Sequence, residues 1–239
     1  MQLMKHQWMI ILFTTLFFYN SNAQNKIADP QFYLAGIKAD LNKQWPDNRT
    51  INLVFHGHSV PAGFFKTPVV NTLSAYPYLL LEKLKAKYPY AVINVINTSI
   101  GGENSESGEK RFDSEVLTHR PDVLFIDYAL NDTGLGLEKS KGYWNRMIQR
   151  ALENKIKIIL LTPSPDQRVN ILEPDNILEQ HTQQIEQLAK DCGIGLVDSY
   201  SLFKDRVISG DSVSIYMSQV NHPNRKGHLL ITEEIVKYF

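Results

Sequence analysis

The chain has 239 residues, with 25 lysines and arginines balanced by 25 aspartates and glutamates, and one cysteine. So even a balance, without any Lys/Arg stripe, gives no basic field to hold a polyanion, which excludes nucleic acid as a partner class. The lone Cys192 excludes an internal disulfide framework and reads as a small apolar residue buried at a helix end.

Residues 1–7 carry one lysine and no acid, 8–19 are almost purely apolar, and Ser21-Asn22-Ala23 closes the run with small residues. That order is the pattern of a secretory signal peptide cut after Ala23, so the protein is expected to be exported, periplasmic or secreted. The run is shorter than the ~20 apolar residues of a membrane span, and no span is expected once it is removed. Nothing else signals a coiled coil or a self-pairing edge, so a monomer is expected.

Residues 24–50 read as an N-terminal lead-in with a short helix over 31–42. From 51 to 239 the pattern is one domain in which strand-length apolar runs alternate with helix-period stretches. Strands are predicted at 51–55, 91–96, 123–128, 155–161 and 195–197. Helices are predicted at 72–88, 105–119, 138–154, 176–192 and 225–238. The run at 123–128 is nearly all apolar, as for a strand buried on both faces. This alternation with short connections predicts an α/β fold: a parallel sheet with helices on both faces, its ligands beyond the carboxyl ends of the strands.

Four segments after strands carry unusual chemistry. His56-Gly57-His58-Ser59 leaves the first strand with a serine on a turn, where its hydroxyl can be exposed. Ile100-Gly101-Gly102-Glu103 follows the second, and its glycines let backbone N–H groups approach a ligand closely. Asn131-Asp132 follows the third, and Asn221-His222-Pro223-Asn224 precedes the last helix.

These four segments, in this order, resemble the blocks of the SGNH (GDSL-type) hydrolase family. Ser59 matches its nucleophile, Gly102 and Asn131 its oxyanion donors, and His222 its general base. The resemblance covers 51–239 and implies a three-layer α/β/α fold with a flavodoxin-like parallel sheet, a serine esterase activity and no cofactor. It implies an ester of a small molecule or glycan as substrate, most simply an O-acetyl group on a carbohydrate. The chemistry is coherent: a serine hydroxyl needs a base to take its proton, and the charge forming on the carbonyl oxygen needs donors.

Two departures stand out. His58 occupies the place where the family has aspartate before the serine. Gln219 stands three residues before His222, where the family has its third triad member, and brings no charge. His222 is then oriented by a carboxylate from elsewhere (Glu103, Asp132, Asp166 or Asp211), or by Gln219, Asn221 or a backbone carbonyl. The remaining alternative is a weak or inactive enzyme that only binds glycans. A lipase- or thioesterase-type activity is the enzymatic alternative to the carbohydrate esterase.

His58, Gln219 and Asn221 are expected to touch substrate, and Phe64, Phe65 and Tyr128 are candidates to stack on sugar rings. His56 and His58 alternate as a metal pair would, but no third ligand is nearby and no metal site is expected. His119, His181 and His228 are expected on helix surfaces or loops. Asp132 is expected to bond loop backbone, and Arg168 to be solvated or to bind an acidic group of the substrate.

Overall fold

The computed structural model describes residues 26–239; the expected signal peptide, 1–23, lies outside them. In chain order the elements are α1 (Ala35–Leu41), β1 (Thr50–Gly57), α2 (Ser59–Ala62), α3 (Tyr76–Lys87) and β2 (Val92–Asn97). They continue with α4 (Ser105–Lys110), α5 (Phe112–Glu115), β3 (Val123–Asp127), α6 (Leu137–Glu153), β4 (Lys157–Leu161) and α7 (Ile177–Cys192). The last are β5 (Gly195–Val197), α8 (Ser199–Ile208), β6 (Met217–Gln219), β7 (His222–Pro223) and α9 (Arg225–Val236).

Strands β1 to β5 form one parallel sheet in the order β2-β1-β3-β4-β5, the doubly wound, flavodoxin-like order. Because side chains alternate along a strand, each strand feeds two cores. Leu53, Phe55, Val123, Phe125, Ile159 and Leu161 face one side, against Tyr76, Leu80 and Leu84 of α3, Phe203 of α8 and Ile231 and Ile235 of α9. Val54, Leu124, Ile126, Ile158 and Leu160 face the other, against Trp144, Met147 and Ile148 of α6 and Ile185 and Leu188 of α7. Phe55 and Phe125, paired across β1 and β3, stack with centroids 4.3 Å apart. Helix α6 buries Trp144, Met147, Ile148 and Ala151, the spacing of one helical face. The architecture is the expected three-layer α/β/α sandwich.

Several details differ from the sequence reading. The helix expected over 105–119 breaks into α4, α5 and a 3₁₀ turn at Leu117–His119. The one expected over 72–88 begins with a 3₁₀ turn at Thr72–Ser74 and becomes α-helical only at Tyr76, with Pro77 in its first turn where no amide donor is needed. Helix α8 follows β5 after a single residue, Asp198, whose side chain caps it; it was not expected. His181 and His228 are fully packed inside, at 0% and 3% exposure, and not on surfaces. Cys192 is half-buried at the end of α7. Among the described residues no helix is long and apolar enough to cross a membrane.

Candidate active site

The sheet order reverses at β1, with β2 on one side and β3 on the other, and both the serine and the asparagine segments leave strands at that point. Gly57 ends β1 where its chain runs against β3: a Cβ there would collide with the Asp127 carbonyl and the Pro61 ring. The His58 N–H then donates to the Asp127 carbonyl at 3.2 Å, fixing the turn. The His58 ring caps α2, its Nδ1 accepting the Val60 N–H at 3.3 Å. Ser59 opens that short helix, 7% exposed.

His222 arrives from the opposite end of the chain. Strands β6 and β7 form an antiparallel hairpin that pairs Gln219 with His222, and Asn224 caps α9 through the Lys226 and Gly227 N–H groups. The hairpin sets His222 Nε2 3.0 Å from Ser59 Oγ. The imidazole is mostly buried; loss of solvation, opposed by the Phe65 carbonyl as a hydrogen-bond acceptor and reinforced by the neighbouring His58, holds its pKa below the usual 6.5. It is therefore neutral near pH 7, the form in which a ring nitrogen can take a proton.

Gln219 occupies the place of the missing carboxylate. Its Oε1 accepts the Thr67 N–H at 3.0 Å, which turns Nε2 toward His222 Nδ1 at 2.7 Å and toward Thr67 Oγ1 at 3.2 Å. In that orientation the amide donates to Nδ1 and favours the tautomer with hydrogen on Nε2, the opposite of what a triad carboxylate imposes. The Phe65 carbonyl, which accepts the Ser218 hydroxyl at 2.8 Å, is the backbone acceptor near the ring. None of the four carboxylates considered from the sequence hydrogen-bonds His222. Glu103 binds Arg111, at 2.6 Å in its shortest contact. Asp132 accepts the Ser105 N–H at 2.8 Å and Trp144 Nε1 at 2.6 Å; Asp166 pairs with Arg168, and Asp211 with the Tyr216 hydroxyl.

Gly102 has φ +83°, a left-handed conformation that costs glycine little, and lies at the mouth of the site. The Ser59 and Gly102 N–H groups have no hydrogen-bond acceptor among the described residues. Asn131 Nδ2 gives one hydrogen to the Glu103 carbonyl at 2.7 Å, leaving its second free. Ser59, Phe64, Thr67, Gly101, Gly102, Asn131, Asn221 and His222 line a cleft of about 310 Å³. A second cleft of about 500 Å³ shares Gly102, Asn131 and Asn221 with it and adds Thr133, Asp166, Arg168 and Val169 among its walls. A serine, an imidazole and a group of N–H donors around one open cleft are the parts an acyl transfer needs.

Two of the expected contacts are corrected here. His58 is 0% exposed and reaches no substrate; it lies behind Ser59. Tyr128 is also 0% exposed, its hydroxyl 3.2 Å from His56 Nε2, so it stacks on no sugar. Gln219, also expected to touch substrate, is held between two residues of the cleft wall, Thr67 and His222. His56, pushed down to about 3 by burial and the Arg111 charge, bonds Thr98 Oγ1 at 2.9 Å and forms no metal pair with His58. Arg168 is exposed but has Asp166 as its partner. Among the described residues no three His, Cys, Asp or Glu side chains converge as a metal set.

Comparison with known proteins agrees with this geometry. The GDSL-like Lipase/Acylhydrolase family matches residues 55–230. The chain belongs to that family. It is accordingly a carboxylic-ester hydrolase. It is 23% identical over 176 residues to an acetylxylan esterase of Geobacillus stearothermophilus, spanning 69% of this chain and 80% of that one. The solved structure of that enzyme superposes with a TM-score of 0.69 at 20% identity, covering 79% of this chain and 93% of the other. A two-domain esterase active on acetylated mannans gives 0.72 at 20% identity, over 90% of this chain and 54% of that one. Catalytic mutants of the Geobacillus enzyme replace a serine, a histidine and an aspartate three positions before that histidine. The same spacing in this family member falls on Gln219.

Proposed function

We infer that this hydrolase removes O-acyl groups, acetyl foremost, from carbohydrates, with Ser59 as nucleophile and His222 as its base. The observation that carries the reading is the 3.0 Å contact between Ser59 Oγ and His222 Nε2 at the floor of an open cleft. In this reading Ser59 Oγ attacks the ester carbon as its proton passes to Nε2. The carbonyl oxygen takes up negative charge among the Ser59 N–H, the Gly102 N–H and the free Asn131 amide hydrogen. Preorganised donors of this kind are worth ~10²–10³ in turnover each. His222 then protonates the departing sugar oxygen and activates the water that releases the acid. The step requires the Nδ1–H tautomer, so Nδ1 must turn from the Gln219 amide hydrogen to an acceptor before Nε2 can take the serine proton.

The carbohydrate preference rests on the acetylated xylan and mannan named for the relatives, and on the larger neighbouring cleft. Asn131, Thr133, Asp166, Arg168 and Asn221 give that cleft polar groups for sugar hydroxyls, and Asn221, common to both clefts, is assigned to the substrate. Export is part of the same proposal and is supported by the apolar run over 8–19 that ends at Ser21-Asn22-Ala23. A single copy suffices, because every group assigned a role comes from one chain.

The test is release of acetate from acetylated xylo- and manno-oligosaccharides by the wild type, Ser59→Ala and His222→Ala. Turnover by the wild type, lost in both variants, is expected. Sugar acetates left intact by a folded wild type that hydrolyses acyl lipids or thioesters would overturn the carbohydrate assignment.

A further inference from the structure

The family chemistry leaves one buried cluster unused. Asp127 closes β3, an otherwise apolar strand, and is 5% exposed. Its Oδ2 accepts the Tyr76 hydroxyl at 2.9 Å; burial and the Asp127 charge push the Tyr76 phenol well up, so it stays a donor. Asp127 Oδ1 faces His58 Nε2 at 3.3 Å. The contact falls short of hydrogen-bond alignment, so both buried atoms stand without a hydrogen-bond partner among the described residues, each facing the other. His58 Nδ1 accepts the Val60 N–H, which leaves Nε2 as the ring nitrogen on the side of the carboxylate. The same Nδ1 lies 3.5 Å from Ser59 Oγ. Carboxylate, imidazole and hydroxyl thus stand in the order of a catalytic triad, with His58 as a second imidazole beside the Ser59 hydroxyl.

A purely structural cluster accounts for less. The cap on Val60 and the Tyr76 hydrogen bond need no ionisable pair, and an isolated buried carboxylate is costly unless something pairs with it. The lone pair of Nδ1 is shared between two long contacts, and catalytic hydrogen bonds in unliganded sites are often long before substrate tightens them.

We propose that His58, oriented by Asp127, is a second base for Ser59. The proposal rests on the esterase reading of Ser59. The Oγ–H bond breaks and its proton goes to His58 Nδ1, giving an imidazolium paired with the Asp127 carboxylate at Nε2. The Oγ–H bonding pair stays on oxygen, an Oγ lone pair forms the bond to the acyl carbon, and the carbonyl π pair moves onto its oxygen. When that pair returns, the leaving group departs with its bonding electrons. An aryloxide such as p-nitrophenolate leaves as the anion and needs no proton. A sugar alkoxide does need one, and His58, fully buried, reaches neither that oxygen nor the water of deacylation. The two imidazoles therefore divide the work: either can open the acylation step, but only His222 can complete turnover on a sugar ester.

The experiment is rapid mixing of His222→Ala with p-nitrophenyl acetate, with thermal melting to show that each variant is folded. A burst approaching one p-nitrophenol per chain, with acetyl left on Ser59, is expected. Adding Asp127→Asn, which keeps the volume and the Tyr76 contact, should slow the burst at least tenfold. His58→Asn in the same background, which keeps an acceptor for the Val60 N–H, should do the same. A folded His222→Ala without any burst, beside an active wild type, would overturn the proposal, as would a burst indifferent to Asp127→Asn. A folded wild type inert toward both p-nitrophenyl and sugar acetates would instead overturn the esterase reading beneath it.

Discussion

The two sides of Ser59 are built on opposite principles. On one side His222 rides a hairpin at the cleft, partnered by the neutral amide of a half-exposed Gln219. On the other His58 sits at a strand end with no exposure, partnered by the carboxylate of Asp127. The outer side has access to substrate and water but lacks charge; the inner side holds charge but has no access. Charge is most effective where water is excluded, and proton delivery to a leaving group requires contact with it. The difference teaches that a missing triad carboxylate need not leave a nucleophile without one nearby.

Three substitutions or conditions sharpen the contrast. Asn131→Ala removes an oxyanion donor common to both sides and should lower wild-type kcat on sugar acetates by ~10²–10³. If both bases feed the same oxyanion pocket, the burst of His222→Ala should slow by a similar factor; an unchanged burst would mean that the inner route uses another pocket. Gln219→Asp gives the outer side the charge it lacks. The amide that replaces a triad carboxylate elsewhere costs about 10⁴ in kcat, so a gain of at least tenfold is expected here. The sign of its pH effect is also fixed. A carboxylate beside His222 favours the imidazolium, so the acidic limb of kcat/KM, expected below pH 6.5 in the wild type because burial lowers the His222 pKa, should move upward.

The smallest effect concerns the histidines away from the cleft. His56 and His228 are pushed down to about 3 and His181 to about 4, in each case chiefly by burial. Below pH 6.5 the unfolded chain binds protons at these rings that the folded chain refuses, so stability is full above that pH and declines as pH falls toward 4. Each ring contributes at most about 1.4 kcal/mol per pH unit in that window. Urea unfolding between pH 7 and 4.5 measures it, and a midpoint that does not move would show that these rings protonate in the folded state.

Much of this was legible in the sequence because the sheet writes itself in apolar runs. The strand from Val123 to Asp127 is buried on both faces, and the uninterrupted hydrophobicity of Val123 to Ile126 announced a central strand. Ser59, Gly102, Asn131 and His222 follow strand ends or open a helix, so topology alone brings them near one another. Asp127 was missed because it reads as the last letter of that apolar strand; an acid closing a strand buried on both faces is the signal that would have found it. Tyr128, one residue further, read equally as a sugar-stacking ring or a core residue; it is core, packed against Gly108, where any side chain would collide with its ring. The Phe65 carbonyl beside His222 is backbone and has no sequence signature. Helix α8 was invisible because the chain leaves it only one residue after β5 in which to turn.

The measurement that tests the central claim most directly is the intact mass of the protein after exposure to a serine-directed p-nitrophenyl phosphonate. The account predicts one adduct per chain, mapped to Ser59 and absent from Ser59→Ala. A folded wild type that gains no adduct, or an adduct that survives in Ser59→Ala, would contradict it.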